Sequence, residues 1–582
     1  IVGTPISEYR IRVMNSDITS TQAKTLLTDR LSDLGMTLAT SGTKFIFLWN
    51  NAGLSGTADN FTVNVDAKEN LYIKCNNPYG FYLAFEKFLD TALSGTGSLN
   101  FSAEYSYTDT VDYVTYAAFG AVGDGVTDDF DAIIAAHTYA NTYGYTVLAG
   151  DDATYYIAKP NKPASIRTNV DWGKAKFIID DREISLTDRS KNIFQVDRDY
   201  AVTSRTVPEG YTLARNATNL GMTFDKPCMV IIYCDTDLIY KRYGDSSQAN
   251  GIAKSDVLLV DKNGNIDPST PLVWSYENGV TRMQVYDIDE TPVTLRGGNF
   301  TTIVNTQPFR RNGGYYERGI KILRSNTVLE GFTHTVIESD DSCPYYGIFQ
   351  VVNANNVIVR NAKISGHKSY SGGANYEFQV SWSNNTLIEN VTQINSITDT
   401  SLWGIMASSG SKNLVYDHCY LSRFDDHRGL CNGVIRNSEI GQIINLIGAG
   451  TFTVENSVIH GQQLLTIRTD YGASWEGDII IRNCTFIPTK SKAYIVKAWW
   501  RDYDPGYLCF FPNIKIDGLK IDGNAKVYFV TQMIDTAIED IRNHPNHPYV
   551  MPEKIEITGL TDKNGNPATI LLAETDAVRA LF

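Results

Sequence analysis

The sequence has no apolar run of 18 or more residues among its 582, so we expect no segment of it to span a membrane. It also has no excess of positive charge, because 51 Lys and Arg stand against 65 Asp and Glu, a net charge of −14. Binding of nucleic acid requires a basic surface, so this charge argues against a nucleic-acid partner and mildly disfavours polyanionic substrates.

Metal and redox motifs based on cysteine are missing as well. None of the eight cysteines belongs to a CxxC pair and their spacing suggests no disulfide framework, so we predict no metal site and no cofactor. The first residue is Ile1, and the opening residues have no charged segment followed by an apolar stretch. We interpret the sequence as one whose native leader lies outside it.

Residues 1–110 are predicted to form an α/β domain. Strand-like runs at 8–13, 44–49, 61–65 and 71–74 alternate with two helices, the first with one apolar face formed by Leu26, Leu27, Leu31 and Leu34. The second helix is predicted over residues 80–93. The segment NLYIKCNNPYGFYLAFEKFLDTAL resembles the small domain ahead of the catalytic domain in α-glucuronidases and hexosaminidases. This resemblance transfers no catalytic residue; it implies a secreted bacterial enzyme, extracellular or at the cell surface, and a monomer.

Residues 114–141 carry the most specific motif, VTYAAFGAVGDGVTDDFDAIIAAHTYAN. Its glycines permit tight turns, and Thr127 and Asp128 are suited to cap a helix beginning near Asp129. The stretch 119–129 resembles the start of the pectate-lyase-like superfamily, which includes phage tailspikes. The resemblance implies a mainly β chain with a right-handed parallel β-helix over 111–582, whose first helix closes the open end. Membership among tailspikes would imply a trimer on a virion tail instead of a monomer.

Residues from about 200 to 300 interrupt this pattern. Turn-forming residues at 261–264 and 296–298 separate strand-like runs at 229–233, 257–260 and 283–286. This spacing predicts an antiparallel β subdomain inserted into the β-helix.

A repeat begins near residue 320 and extends for seven segments such as NVIVRNAKISGHKS and TFTVENSVIHGQQL. Each segment has an alternating apolar strand, a polar anchor residue and a second short strand. The anchors, 19 to 30 residues apart, are Gly331, Asn361, Asn390, His418, Asn437, Asn456 and Asn483. Repeats of this length predict stacked coils, with an asparagine ladder at one turn and the following residues, including Cys419 and Cys484, stacked inside.

Polar residues at equal offsets in successive coils form the predicted functional site, because stacked parallel strands lie about 4.8 Å apart. Such residues lie nine positions after the anchors, and a dense acidic group occurs in SRFDDHRGLCNG. The predicted catalytic residues are Asp340, Asp399, Asp425, Asp426, His427 and Asp470. The predicted substrate-binding residues are Tyr376, Trp403, Arg428, Arg468, Tyr471 and Trp475. The aromatic segment KAWWRDYDPGY, with Trp499, Trp500 and Tyr503, is predicted to form one end of the groove.

Two neighbouring carboxyl groups can cleave a glycosidic bond when one protonates the leaving oxygen and the other activates water or attacks directly. We therefore predict a glycoside hydrolase with a poly- or oligosaccharide substrate. The first alternative is a polysaccharide lyase, with His427, Arg468 or Tyr471 at the scissile unit and Ca²⁺ held by Asp399, Asp425 and Asp426. The second is a glycan-binding fibre without catalytic activity. The acidic ladder and the negative net charge favour hydrolysis.

Overall fold

A computed structural model describes residues 1–15, 18–50, 61–75, 78–91, 93, 97–101, 105–107, 112–244, 251–306, 314–338, 342–368, 375–401, 406–531, 541–545 and 547–582. The chain forms two compact units, residues 1–159 with 168–177, and residues 160–167 with 178–582. The predicted domain boundary between residues 110 and 111 falls outside the described residues. Within the described part of the chain, no helix is long and apolar enough to cross a membrane.

The first unit begins with an α/β fold. Its elements are β1 (Val2–Pro5), β2 (Tyr9–Val13), α1 (Ile18–Asp33), β3 (Lys44–Asn50), β4 (Phe61–Val65), β5 (Leu71–Cys75), α2 (Pro78–Thr91), β6 (Ser98–Asn100) and β7 (Tyr105–Tyr107). A five-stranded sheet has the order β2-β3-β5-β4-β7, parallel from β2 to β5 and antiparallel beyond. Leu27 and Leu31 of α1 pack into its core, whereas Leu34 lies past the end of α1 and is exposed. The predicted helices and strands are therefore found, with small shifts at their ends.

The same unit contains β8 (Tyr113–Thr115), β9 (Asp124–Asp128), α3 (Phe130–Tyr143), β10 (Thr146–Leu148) and β11 (Thr154–Ile157). Helix α3 packs against β8, β10 and β11. Its N-cap is Asp129, whose carboxylate accepts hydrogen bonds from the N–H groups of Val122 and Gly123 in the glycine-rich turn. Asp128 accepts the N–H groups of Ala158 and Lys159. Both carboxylates thus satisfy backbone donors and fix the turn.

The remaining elements follow in chain order: β12 (Ala164–Ile166), β13 (Val170–Asp180), β14 (Phe194–Val196), β15 (Thr203–Arg205), β16 (Cys228–Ile239), β17 (Ile252–Val260), β18 (Arg282–Asp287), β19 (Val293–Ile303), β20 (Ile320–Ile322), β21 (Thr327–Glu330), β22 (Thr333–Ile337), β23 (Phe349–Val352), β24 (Asn355–Ile364), β25 (Phe378–Ser381), β26 (Asn384–Gln393), β27 (Met406–Asp417), β28 (Tyr420–Arg436), β29 (Glu439–Leu446), β30 (Gly448–Glu455), β31 (Val458–Gly461), β32 (Gln463–Ile467), β33 (Trp475–Pro488), β34 (Lys492–Lys497), β35 (Cys509–Phe510), β36 (Asn513–Ile521), β37 (Lys526–Val530), β38 (Tyr549–Val550), β39 (Ile555–Thr561) and α4 (Asp576–Arg579).

Parallel pairing between successive coils defines the architecture of the second unit. One ladder of facing residues runs through ten coils, at Leu295, Leu329, Val359, Ile388, Tyr416, Ile435, Val454, Ile481, Ile516 and Ile557. All but the last of these side chains are buried. Each coil therefore covers the apolar face of the next, which is the construction of a parallel β-helix and confirms the predicted fold class.

The anchor residues of the repeat share one backbone conformation. All seven have positive φ angles between 49° and 70°, the left-handed region that asparagine and glycine tolerate best. Gly518 and Gly559 continue the series with φ angles of 83° and 68°. The amide of Asn390 donates to Asn361 Oδ1 at 2.8 Å, so the predicted asparagine ladder is present. Cys419 and Cys484 lie in the buried stack beside it.

The insertion is a four-stranded antiparallel sheet with the order β15-β18-β16-β17, as predicted. It has a core of its own around Val230, Ile232 and Leu258. A buried ion pair joins it to the β-helix, because Lys412 Nζ of β27 lies 2.7 Å from Asp256 Oδ1 of β17. The insertion is thus fixed against the coils that carry the predicted site.

Candidate active site

Three successive coils supply the polar cluster at the centre of the site. Asp425 of β28 faces Asn445 of β29, and Asn445 faces Thr466 of β32. Arg468 follows directly after β32, and Asp470 lies in the short 3-10 helix Thr469–Tyr471. Strand stacking alone therefore brings residues 425 and 468 together, although 43 positions separate them.

Arg468 joins the two carboxylates of this cluster, Asp425 and Asp470. Its Nη1 donates to Asp425 Oδ1 at 2.6 Å, and its Nε and Nη2 donate to the two oxygens of Asp470 at 3.1 and 2.9 Å. Only 9% of its side chain is exposed. A guanidinium group held by two carboxylates in this way is fixed in position, because each bond is charge-assisted.

The carboxyl groups around Arg468 have different electrostatic surroundings. Burial raises the pKa of Asp426 well above its usual range, although the Ile447 N–H and the charge of Arg468 oppose this shift. Burial also acts to raise the pKa of Asp470, but the charges of Arg468 and Arg242 outweigh it and lower that pKa. Protonation is therefore favoured at Asp426 and ionisation at Asp470.

His427 lies between these groups, with its ring edge to face against Tyr471 at a centroid distance of 5.6 Å. Burial, together with the charges of Arg468 and Arg428, lowers the pKa of His427 to about 3. The imidazole is therefore neutral at neutral pH. A shift of register in β28 between Asp426 and Arg428 places His427 at a β-bulge, a device that redirects side chains beside many active sites.

The insertion contributes Arg242, which the sequence analysis missed. Its Nε lies 3.0 Å from Asp470 Oδ2, and 34% of its side chain is exposed. No spacing in the sequence relates residue 242 to the repeat, because the insertion precedes the repeat and has its own topology. Arg423 and Arg428 also interact electrostatically with groups of the cluster. Together with Arg242 and Arg468 they make four guanidinium groups, whereas the ion-paired carboxylates are two, those of Asp425 and Asp470.

Tyrosine rings form a wall beside the cluster. Tyr315 and Tyr346 stack in parallel with a centroid distance of 4.4 Å, and Tyr376 contacts both rings. Burial raises the pKa of Tyr376, the charge of Asp425 adds to this rise and the charge of Arg468 opposes it. The predicted residue Tyr376 therefore borders the site. Tyr315 and Tyr346 are only half-buried and can offer ring surface to a sugar.

Several predicted site residues lie elsewhere or have no accessible surface. Asp399 is on an exposed turn, where its carboxylate accepts the Ser401 N–H at 2.9 Å, because an extra turn at 396–401 shifts the count from the anchor. Trp475 is fully buried and donates to the Gly450 carbonyl oxygen, so its predicted role as a binding wall is wrong. Tyr471 is also fully buried and supports His427 instead. Asp340 and Trp403 lie outside the described residues.

The Ca²⁺ site that a lyase would use does not fit these residues. Asp425 is ion-paired with Arg468, burial raises the pKa of Asp426, and Asp399 is bonded to its own turn. Calcium requires several converging oxygen ligands, and these three carboxyl groups do not provide them.

Two concave spaces lie between the insertion and the β-helix. Arg428, Tyr240 and the Lys412–Asp256 pair line a cavity of about 50 Å³, which is too small for a sugar ring. The second space is an open cleft of about 840 Å³ lined by Trp274, Tyr507, Phe510, Lys241, Lys254 and Asp504, among others. Lys241 is adjacent in sequence to Arg242, and Tyr507 donates to the Tyr471 carbonyl oxygen, so the cleft borders the cluster. Its volume suits an oligosaccharide.

A second polar network lies inside earlier coils, and the sequence analysis did not predict it either. His367 Nδ1 lies 2.5 Å from Glu377 Oε1, and His334 lies 3.5 Å from the other oxygen of Glu377. At most 1% of each of these side chains is exposed. They cannot touch a substrate, and we regard this network as structural.

Comparison with known protein families gives no match, and neither does comparison with curated proteins. Among solved structures, the chain is similar to the tailspike gp61 of Pseudomonas phage phi297, with 12% identity over 81% of this chain and 83% of that one and a TM-score of 0.47. It is similar to the surface adhesin PfbA of Streptococcus pneumoniae, with 12% identity, 72% and 90% coverage and a TM-score of 0.37. An exopolygalacturonase of Thermotoga maritima gives 11% identity, 76% and 91% coverage and a TM-score of 0.35. The parallel β-helix is therefore assigned from the strand register of this chain and not from these similarities.

Proposed function

We propose that this chain is an extracellular enzyme that hydrolyses glycosidic bonds of an acidic poly- or oligosaccharide at the Arg468 cluster. The observation that carries the proposal is the convergence of Asp425 and Asp470 on Arg468, with the buried Asp426 next to Asp425 on the same strand. The pKa directions, upward at Asp426 and downward at Asp470, agree with an acid and a base role. Pairs of carboxyl groups separated in this way are suited to act as acid and base in glycoside cleavage.

The proposal assigns the base role to Asp470 and the acid role to Asp426. Asp470 is ionised and 24% of its side chain is exposed, so it is accessible to water. The acid role requires Asp426 to hold a proton, which its raised pKa favours, but this residue has no exposed surface. Proton donation therefore requires a local opening of β28 at the bulge beside it, and we include that opening in the proposal. Arg468 keeps Asp425 and Asp470 in place.

The excess of guanidinium groups supports an acidic substrate. The four arginines of the cluster outnumber its two ion-paired carboxylates, so a uronate or similar anion would reduce the excess positive charge. The adjoining cleft offers Trp274 and Tyr507 as stacking surfaces for further sugar rings. The local positive charge favours an acidic substrate, whereas the net charge of the chain mildly disfavoured polyanionic substrates.

The activity is tested on a panel of acidic and neutral polysaccharides, with reducing ends and unsaturated-uronate absorbance measured in parallel. We expect new reducing ends without that absorbance. Asp470→Asn and Asp426→Asn should each lower kcat/KM by about 10²–10⁴-fold, the range for loss of an acid or base. Asp417→Asn is the matched control, because Asp417 forms a similar pair with Arg436 at 2.8 Å outside the cluster. Full activity in both cluster variants would overturn the assignment.

The substrate class has its own test. Arg242→Gln should raise KM for acidic oligosaccharides more than for neutral ones, because Arg242 is the most exposed guanidinium paired to the cluster. Arg436→Gln is its control, since it removes an ion-paired arginine elsewhere that is 43% exposed, against 34% for Arg242. Equal effects of the two substitutions would contradict an acidic substrate.

β-Elimination is the second candidate, and one observation favours it. A neutral imidazole at His427 among several arginines could remove the proton next to a uronate that those arginines neutralise. This candidate predicts growth of unsaturated-uronate absorbance and its loss in His427→Ala. Absorbance growth would replace hydrolysis by elimination at the same site.

A further inference from the structure

A cluster of possible metal ligands lies outside the candidate active site, at Asp502, His544 and His547. Asp502 Oδ1 is 3.3 Å from His544 Nε2 and 3.5 Å from His547 Nε2. Two ligands of a tetrahedral zinc ion with bonds of about 2.0–2.1 Å lie roughly 3.3 Å apart. One carboxylate and two imidazoles are thus spaced as three corners of such a site.

His547 supplies an independent indication. Only 9% of its surface is exposed, and neither of its ring nitrogens makes a hydrogen bond among the described residues. A buried polar atom without a partner is costly and calls for an explanation such as a bound ion. Since its Nε2 faces Asp502 and His544, a cation placed between the three residues would provide the missing interaction.

We propose that Asp502, His544 and His547 bind one Zn²⁺ ion. Two imidazoles and one carboxylate suit zinc, whereas calcium and magnesium prefer oxygen ligands. A water molecule would complete the tetrahedron, because three protein ligands converge among the described residues. The sequence signal for this site is the pair of histidines in HPNHP, three residues apart, which a search for CxxC pairs does not detect.

The zinc ion would fasten two segments that build one wall of the cleft. Asp502 begins the stretch that reaches the cleft at Asp504 and Tyr507, and His547 lines the cleft from the other segment. Strands β35 and β38, which follow these segments, pair with each other. The ring of Trp500 already packs against both histidines at 5.4 Å. The role we assign to zinc is therefore structural, and it does not depend on the proposed glycan cleavage.

The test uses the untagged protein after removal of metals with EDTA. Titration with ZnCl₂ in a calorimeter should show one saturable site, and CaCl₂ should give none. Asp502→Asn and His544→Gln should weaken zinc binding at least about tenfold, since loss of even a supporting residue costs that much. Asp502 is 57% exposed, so its substitution keeps the fold, which circular dichroism verifies. Asp504→Asn, a neighbouring carboxylate outside the triad, should bind zinc like the unaltered protein.

Thermal unfolding tests the structural role separately. Zinc should raise the Tm of the unaltered protein and of Asp504→Asn more than that of Asp502→Asn, because an ion that binds only the folded state stabilises it according to its affinity. Absence of saturable zinc binding, or equal affinity in Asp502→Asn, would overturn the site. Saturable binding without a rise in Tm would overturn the structural role alone.

Discussion

Asp425 and Asp426 are consecutive residues of one strand, yet their carboxyl groups have different partners. Asp425 accepts hydrogen bonds from Arg468 and Asn445. Asp426 accepts the Ile447 N–H with one oxygen, and its other oxygen has no hydrogen-bond partner among the described residues. Asp425 is therefore held by a charge-assisted bond, whereas burial raises the pKa of Asp426 and favours its protonated form.

The effect of Asp426 on stability should depend on pH. A carboxyl group whose pKa is raised in the folded state binds its proton more tightly there, so the free energy of unfolding falls as pH rises above the ordinary value of 3.8. Asp426→Asn removes this fall in the free energy of unfolding, which amounts to at most about 1.4 kcal/mol per pH unit. We expect the Tm of this variant, relative to the unaltered protein, to increase between pH 4 and pH 7 (roughly the range above the free Asp pKa).

Asp425→Asn provides the contrast, because it weakens a charge-assisted bond and leaves Arg468 with Asp470 alone. It should destabilise the protein by about 1.5–3 kcal/mol at pH 7. Identical pH profiles of Tm for the two variants would show that Asp426 is not held in its protonated form.

The sequence predicted the residues of the cluster that the repeat itself places together. Asp425, Asp426, Arg468 and Asp470 follow from coil spacing, because parallel strands stack in register. Arg242 could not be predicted, since the insertion reaches the cluster through a tertiary contact. The side of the strand that Trp475 occupies was also undetermined, and the prediction that placed it on the surface was wrong, since it is fully buried.

At the scale of the elements, the asparagine ladder is the feature that the sequence predicted most completely. Asn390 has a φ angle of 49° and is exposed, so its substitution tests the turn without disturbing the core. Asn390→Ala and Asn390→Gly both lose the bond to Asn361. Only alanine is strained in the left-handed region, by about 1–2 kcal/mol. We expect a lower Tm for alanine than for glycine, and the reverse order would contradict the role given to the turn.

The contact between the insertion and the β-helix could not be predicted from the sequence. Lys412 belongs to the repeat and Asp256 to the antiparallel insertion, and no sequence spacing relates the two. Their ion pair is buried, with 3% and 2% of the side chains exposed. Lys412→Met should cost about 3–5 kcal/mol, because it leaves a buried carboxylate without its counter-ion. Adding Asp256→Asn should restore a large part of this loss, as measured by thermal unfolding and limited proteolysis. Additive effects of the two substitutions would show that the pair does not couple the elements.

At the scale of the whole molecule, the chain has a net charge of −14 but carries a cationic cluster next to its cleft. The predicted monomer and the proposed extracellular location remain predictions, which sedimentation and localisation experiments can check. The proposed zinc site and the insertion border the cleft next to the cluster, and the tyrosine wall lies beside the cluster. The C-terminal half of the β-helix, and not the conspicuous motif at 114–141, is therefore where we expect ligand binding.

The response to salt should reveal which charge governs binding. Raising NaCl from about 0.1 M to about 1 M shortens the Debye length from about 10 Å to about 3 Å. If the cluster dominates, an acidic oligosaccharide should bind more weakly at high salt, while a neutral one should show little change. Calorimetry on Asp426→Asn is suitable, because this substitution removes the proposed acid and should prevent turnover while all four arginines stay in place. Stronger binding at high salt would mean that repulsion by the negative surface outweighs the four arginines, and an acidic substrate would then be excluded.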